Sequence, residues 1–351
     1  MRDTKILKVQ NINGCDKELD EAAAIIAGGG LVAIPTETVY GLAANAEDEK
    51  AVKSIFEAKG RPQDNPLIVH IADLTMLARV VREVPQNAMK LANKFWPGPL
   101  TIILPKSSFI PAVTSAGLDT VAVRFPKHPV AQEIIRRANV PVAAPSANLS
   151  GSPSTTTAQH CIHDLMGRVD AIVDGGDCEV GVESTVVTLA GETPKLLRPG
   201  YVTLEQLREV LGEVLVDKAV THQPAPNAKV SSPGMKYKHY APKCKVILVD
   251  GTQAQYADYV NSHHTDGEFA LCYNEDVPFL RCPSISIGAE NNQAEQAVKL
   301  FDSLRRLDEE GAQVVYARCP KQSGVGLALY NRLIRAAAFQ VVHAASGTQQ
   351  V

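Results

Sequence analysis

Short apolar runs alternate with segments of helical spacing along most of this chain, and that alternation restricts it to an α/β architecture. A helix is predicted over DKELDEAAAIIAGGG, with Asp16 placed to cap it and Gly28 to Gly30 to end it. LVAIP, from Leu31, follows as a buried strand. A second helix is predicted from about Asp48 to Gly60, with Ala51, Val52, Ile55 and Phe56 on one face, and then the strand LIVHI, from Leu67 to Ile71. Further strands are expected at Leu100 to Leu104, Val121 to Phe125, Pro141 to Ala144, Ala171 to Val173 and Ser184 to Leu189. They make up a large domain over residues 1–212, with a twisted, mixed and partly parallel sheet flanked by helices.

At 351 residues the chain exceeds what one core usually organises, so a second domain is expected. Residues 213–243 include THQPAPNAKVSSPGMKYKHYAPK, rich in Pro, Ser, Lys and Tyr without apolar periodicity, which reads as a linker. Over residues 244–351 the runs KVILVD, EFALCY, SISIG and QVVYA alternate with helical segments near Gln253 to Ser262, Ala294 to Glu310 and Gly324 to Ala337. That pattern predicts a smaller, Rossmann-like α/β domain of βαβ units.

Composition excludes several classes. No run approaches the roughly 18 apolar residues of a membrane helix, and MRDTKILKVQ lacks a signal-peptide core, so a cytoplasmic protein without membrane contact is expected. Seven cysteines without a CxxC pair indicate neither a disulfide framework nor a zinc site. A net charge of −3 gives no standing attraction to a phosphate backbone, which disfavours a dedicated nucleic-acid binder.

Polar clusters sit at the predicted strand ends. Pro35 opens into Thr36, Glu37, Thr38, Tyr40 and Gly41, two hydroxyls and a carboxylate where open α/β sheets bind ligands; the alternative is a polar turn with a structural glycine. Lys59-Gly60-Arg61-Pro62-Gln63-Asp64-Asn65-Pro66 braces two cations in one loop, suited to phosphate oxygens, although Lys59 could merely complement a helix dipole. His70, in LIVHI, is by position alone a core histidine or a functional one. Arg124, in VAVRF, needs an anion or a paired carboxylate if buried, and a substrate carboxylate is one candidate. AAPSANLSGSPSTT supplies Ser146, Asn148 and Ser154; DGGDCEVGVESTVV adds Glu183, Ser184 and Thr185; LLRPG adds Arg198.

There is no GxxxxGK[ST] loop, no GxGxxG after a strand, no HExxH and no GxSxG. His160 and His163, three apart on a predicted helix, read as surface or packing residues, and no metal ligand set is expected. Hydroxyls, amides and cations remain, suited to catalysis by positioning and charge stabilisation.

PTETVYGL, KGRPQDNPLIVH, WPGPLT, DTVAVRFP, APSANLSG, GVESTVV and LLRPG, in that order over roughly residues 17 to 210, resemble the threonylcarbamoyl-AMP synthases with a YrdC-like domain. SPGMKYKHYAP and the smaller domain resemble that family's long, two-domain branch. The resemblance implies a nucleotidyltransferase that joins L-threonine, bicarbonate and ATP into threonylcarbamoyl-adenylate and releases pyrophosphate. The product would pass to a separate complex that modifies position 37 of tRNA, so stable tRNA binding is not expected.

By the same resemblance, Lys59 and Arg61 form the KxR pair and Ser146 and Asn148 the SxN pair, at the phosphates and the reacting centre. Asn65, Thr120, Ala144, Ser154, Arg198 and Tyr237 are further implied ATP contacts. Thr36, Thr38, His70, Arg124, Ser146 and Ser184 would surround threonine, with Arg124 receiving its carboxylate; Thr185 is an alternative to Ser184. Mg2+ is expected with ATP. The linker is expected to fold over the site as a lid, with Tyr237 nearest the ligand. Two rivals are an RNA-binding module, which needs a basic aromatic face, and a carbamoyl-adenylate-forming transferase of hydrogenase maturation, whose zinc-finger cysteine pairs this sequence lacks.

Overall fold

The computed structural model describes residues 2–9, 11–223 and 240–344. The chain divides into two compact units. The first holds Met1–Ser150 and Ser154–Val220; the second holds the chain from Tyr240 onward with two short pieces, Gly151–Pro153 and Thr221–Gln223.

The first unit is built on strands β1 (Lys5–Lys8), β2 (Val32–Ile34), β3 (Gly41–Asn45), β4 (Ile68–His70), β5 (Leu100–Pro105), β6 (Thr120–Arg124), β7 (Val142–Ala143), β8 (Ala171–Asp174), β9 (Thr185–Thr188), β10 (Lys195–Arg198) and β11 (Leu215–Val216). They join in one mixed sheet in the order β1-β8-β2-β3-β7-β4-β6-β5-β9-β10-β11. Helices α1 (Asp16–Ala27), α2 (Glu49–Lys59), α3 (Leu77–Val80), α4 (Gln86–Phe95), α5 (Pro129–Ala138), α6 (Ala158–Leu165) and α7 (Leu204–Leu211) accompany it. The α/β class expected from the alternation is the one found.

Local chemistry explains the helix ends. Asp48 caps α2 by accepting from the amides of Lys50 and Ala51, and Gly60 closes it in the left-handed region at φ 62°. The α1 cap differs from expectation. Cys15 is the capping residue and makes no side-chain bond, while Asp16 is already helical, one acidic residue of a first turn that its charge suits through the helix dipole. Leu19, Ala22, Ala23 and Ile26 form the buried face of α1, which packs against α5.

One strand defied its composition. Gly41-Leu42-Ala43-Ala44-Asn45 has low strand propensity, yet β3 pairs antiparallel with β2 through Val32↔Ala43 and with β7 through Ala44↔Ala143. Small residues are required there: a Cβ on Gly41 would approach Ala144 Cβ at 3.1 Å. The motif at residues 35–40 is therefore the tip of a hairpin returning to the sheet.

The second unit holds β12 (Lys245–Asp250), β13 (Glu268–Cys272), β14 (Ser284–Ser286), β15 (Val314–Arg318) and β16 (Val341–His343), with α8 (Gln253–His263), α9 (Gln293–Glu309) and α10 (Gly326–Ala336). Every pairing is parallel, in the order β14-β13-β15-β12-β16, as the βαβ pattern predicts. Val249, Tyr256, Val260, Ala270 and Cys272 form its core. All seven cysteines are free.

Gly200, after β10, fits only as glycine. A Cβ there would lie 2.4 Å from the Thr185 amide nitrogen and 2.7 Å from the Glu183 carbonyl oxygen, both backbone atoms. Gly200→Ala is expected to destabilise the chain by about 2 kcal/mol or more, read as a lower denaturant midpoint. An unchanged midpoint would contradict this packing.

Candidate active site

Arg124 ends β6 and is 3% exposed. Its guanidinium is surrounded on three sides: Nε donates to the Gly98 carbonyl at 3.4 Å, Nη1 donates to Thr38 Oγ1 at 2.8 Å, and Nη2 lies 2.8 Å from Glu37 Oε1. The anion that this buried cation meets within the chain is thus Glu37. Alignment of the pair is poor, and neither the Nη2 hydrogens nor either Glu37 oxygen has a hydrogen-bond partner. Burial pushes the Glu37 carboxyl up, but the adjoining Arg124 guanidinium opposes it and holds the pKa below its ordinary value.

The hairpin tip is arranged by its own hydroxyls. Thr36 Oγ1 donates to the Val39 carbonyl at 2.6 Å, accepts from the Thr38 amide, and lies 2.9 Å from Thr38 Oγ1. Thr38 is thereby aimed at Arg124. His70, at the end of β4, pairs in register with Arg124 and is buried, its Nδ1 3.3 Å from the Ile68 carbonyl. Burial, then the Arg124 charge, pull its pKa down to about 3, so the ring is neutral.

Thr101 of β5 pairs in register with Arg124 on its other side. Thr101 Oγ1 lies 2.8 Å from Ser184 Oγ, and Arg198 donates to the Ser184 carbonyl at 3.0 Å and to Ser184 Oγ at 3.1 Å. Arg198 therefore stands on the Arg124 side of the site. Thr185 turns away and donates to the Val202 carbonyl.

The second group surrounds the KxR and SxN motifs. Lys59 is buried, and its ammonium donates to the carbonyls of both Ser146 and Asn148, so the two motifs form one physical unit. The Ser150 amide returns a bond to the Lys59 carbonyl. Half-buried Arg61 donates to the carbonyls of Asn65 and Pro66 at 3.4 and 3.3 Å. Asn65 is fully buried, yet neither end of its side-chain amide has a partner, as for a group that meets a ligand. Ala144 is buried beside Gly41.

The two groups lie toward opposite ends of β7, because the sheet is mixed. β7 runs antiparallel to β4, with His70 opposite Val142 at the start of β7, whereas Ser146 follows its end. The hairpin tip joins them: Gly41 bridges Ser146, and the Ala147 amide donates to the Tyr40 carbonyl at 2.8 Å. Ser154 bridges the groups by donating to the Glu183 carboxylate, next to Ser184. Thr120 starts β6, where the parallel register with β4 brings it level with Pro66, and it lines a cavity of about 430 Å³ with Ile103, Thr188 and Glu192. Tyr237 and most of the expected lid lie outside the described residues.

Sequence reasoning assigned no role to Glu37, Thr101, Gly98 or Glu183. Only Glu37 left a signal, a carboxylate between two threonines in a chain that needs a partner for Arg124. His160 and His163 lie on α6, where the Thr156 amide donates to His160 Nδ1 and His163 Nδ1 lies 2.9 Å from Asp164 Oδ1; no group of three or more His, Cys, Asp or Glu suited to a metal occurs among the described residues.

Comparison with known proteins agrees with this architecture. A family model described as telomere recombination, of the Sua5, YciO and YrdC proteins, matches residues 24–200, which defines the first unit as a YrdC-like domain. A second model, the C-terminal domain of threonylcarbamoyl-AMP synthase, matches residues 202–338. A threonylcarbamoyl-AMP synthase of Pyrococcus abyssi is 44% identical over 92% of this chain and 94% of its own length. One of Bacillus subtilis is 45% identical over 93% and 95%. The crystal structure of P. abyssi Sua5 complexed with L-threonine superposes with a TM-score of 0.90 at 43% identity, covering 97% of this chain and 99% of that one. The chain belongs to the threonylcarbamoyl-AMP synthase family, a family of enzymes.

The buried neutral His70 has a measurable consequence. The free imidazole titrates near 6.5, so between pH 6.5 and about 3 the unfolded chain binds a proton that the folded chain refuses, and His70 withdraws stability as pH falls through that window. The His70 ring is expected to show no titration by NMR from pH 8 to 5. A midpoint near 6.5 would contradict the buried geometry.

Proposed function

We propose that this chain synthesises L-threonylcarbamoyl-AMP from L-threonine, bicarbonate and ATP, releasing pyrophosphate as a nucleotidyltransferase. The observation that carries the reading is the meeting of two groups: a buried Arg124 with unaligned Nη2 hydrogens, flanked by Thr38 and His70, and a buried Lys59 bound to the Ser146 to Asn148 loop, which the hairpin tip joins where Gly41 bridges Ser146. That arrangement suits an amino acid at one group and a nucleotide triphosphate at the other, with the reacting atoms between.

Threonine's carboxylate would approach Arg124, and its hydroxyl and amine would meet Thr36, Thr38, His70 and Ser184. The amine attacks bicarbonate, water leaves, and an N-carboxylate forms. A carboxylate oxygen then attacks the α-phosphorus in line, the bond to the β-phosphate bridging oxygen breaks, and pyrophosphate departs with its electrons. Arg61 would stabilise the developing charge as a forked donor. Lys59 holds the Ser146 to Asn148 loop by its carbonyl bonds, and so presents Ser146 and Asn148 to the phosphates as well as contributing charge.

Asn65, Ala144, Ser154 and Arg198 would complete the nucleotide side, with Arg198 also serving the centre beside Ser184. Thr120, level with Pro66 at the start of β6, would contact the nucleotide beside Asn65. Magnesium binds phosphate oxygens and keeps its waters, so it would arrive on ATP. The described residues provide no cage for a resident ion, and no step is assigned to one. The product would be handed to a separate tRNA-modifying complex in the cytoplasm, and the segment containing Tyr237 would shield the labile anhydride.

Incubation with ATP, L-threonine and bicarbonate should yield threonylcarbamoyl-adenylate by mass spectrometry, and omission of any one substrate should abolish it. Arg61→Ala should lower pyrophosphate release by roughly 100-fold or more while the fold persists. Product formation without threonine, or near-normal turnover by Arg61→Ala, would refute the reading.

A further inference from the structure

We infer that Glu37 determines specificity at the amino-acid end of the site: it neutralises Arg124 so that the buried pocket accepts a zwitterion, an ammonium together with a carboxylate, and rejects the simple carboxylate anion of the same shape. This rests on the threonine reading above and deepens it.

Charge bookkeeping leads there. Arg124 and Glu37 are each 3% exposed. Glu37 stays ionised, and His70 beside Arg124 is neutral. Thr36, Thr38, Thr101 and Ser184 add hydroxyls without charge. Near Glu37 the buried Cys178 thiol is kept neutral by burial, and toward solvent Lys127, His128 and Glu179 line a cavity of about 270 Å³ with Glu37; Lys127 and Glu179 are exposed and opposite in sign. The His128 ring is held neutral by burial, which outweighs the pull of Glu37 and Glu179. Farther along, beside Ser184, the buried Arg198 cation and the buried Glu183 carboxylate offset one another, so the buried pocket carries no net charge before a ligand enters.

A carboxylate brought to Arg124 would raise the buried charge to minus one unless it carried its own cation. An α-amino acid does. Geometry provides for both ends: Nη2 of Arg124 and Oε1 of Glu37 lie 2.8 Å apart but out of hydrogen-bond alignment, so the Nη2 hydrogens lack an acceptor and both Glu37 oxygens lack a donor. A ligand carboxylate can take the first while a ligand ammonium takes the second. If Glu37 served only to stabilise Arg124 in the fold, a well-aligned fork-to-carboxylate pair would serve better than the observed one.

The test uses (R)-3-hydroxybutyrate, which is threonine without its ammonium group, against L-threonine by titration calorimetry on the whole chain. The unaltered protein should bind threonine at least about 100-fold more tightly. Glu37→Gln, which leaves an unneutralised Arg124, should bring that ratio down at least tenfold, by weaker threonine binding and stronger hydroxybutyrate binding, and Glu37→Asp should restore most of it. A ratio unchanged in Glu37→Gln overturns the proposal.

Should Glu37→Gln fail to fold, the unaltered chain still decides. Binding of hydroxybutyrate, compared across buffers of different ionisation enthalpy, should take up one proton as Glu37 neutralises, whereas threonine binding should take up none. Hydroxybutyrate binding within about tenfold of threonine and without proton uptake overturns the proposal. Failure of the unaltered chain to bind threonine at all refutes the proposed function, a result distinct from either of these.

Discussion

A guanidinium at the end of an inner strand cannot remain where it is without an anion, and the ion pair of Arg124 with Glu37 is what lets β6 end inside the domain. Removing one partner of such a buried pair typically costs about 3–5 kcal/mol, because the other charge is stranded. That penalty ties the hairpin tip at residues 35–40 to β6. It thereby fixes Thr36 and Thr38, since Thr38 accepts from the same guanidinium. Register carries the constraint outward, to His70 on one side and to Thr101, Ser184 and Arg198 on the other.

Lys59 plays the corresponding part at the nucleotide end. A buried ammonium bonded to two loop carbonyls is an unusual use of a lysine expected to touch phosphate, and it makes the loop's shape depend on a charge. Asn65 is buried with its amide unpaired, and buried polar groups are normally satisfied, so its environment anticipates a ligand. The two ends are joined by Ser154 and Glu183.

Much of this was legible in the sequence, for physical reasons that vary by element. Apolar runs such as LTIIL and VAVRF report burial on both faces and became β5 and β6. A charge inside such a run announces that it must be paired, which is why Arg124 was readable as special. Its partner was not, because Glu37 lies many residues away and only the hairpin brings it near. β3 was hidden by its composition: Gly41, Ala43 and Ala44 are selected by close approach to β7, which local propensity cannot express. The division of the polar clusters between opposite ends of β7 depended on strand direction, and alternation of elements does not encode direction. Lys59 read as a phosphate ligand because a sequence shows its charge; the carbonyls it also holds became visible only in the fold.

The account stands on Arg124 as the receptor of the amino-acid carboxylate, held ready by Glu37 and Thr38. Calorimetric titration of Arg124→Lys with L-threonine and, separately, with ATP tests it most directly, because lysine keeps the charge that balances Glu37 and removes the fork. The account predicts at least about a 100-fold loss of threonine affinity, with ATP affinity within about threefold of the unaltered chain, as expected where the two ligands meet separate residues. Threonine binding as tight as before, or equal losses for both ligands, would contradict it.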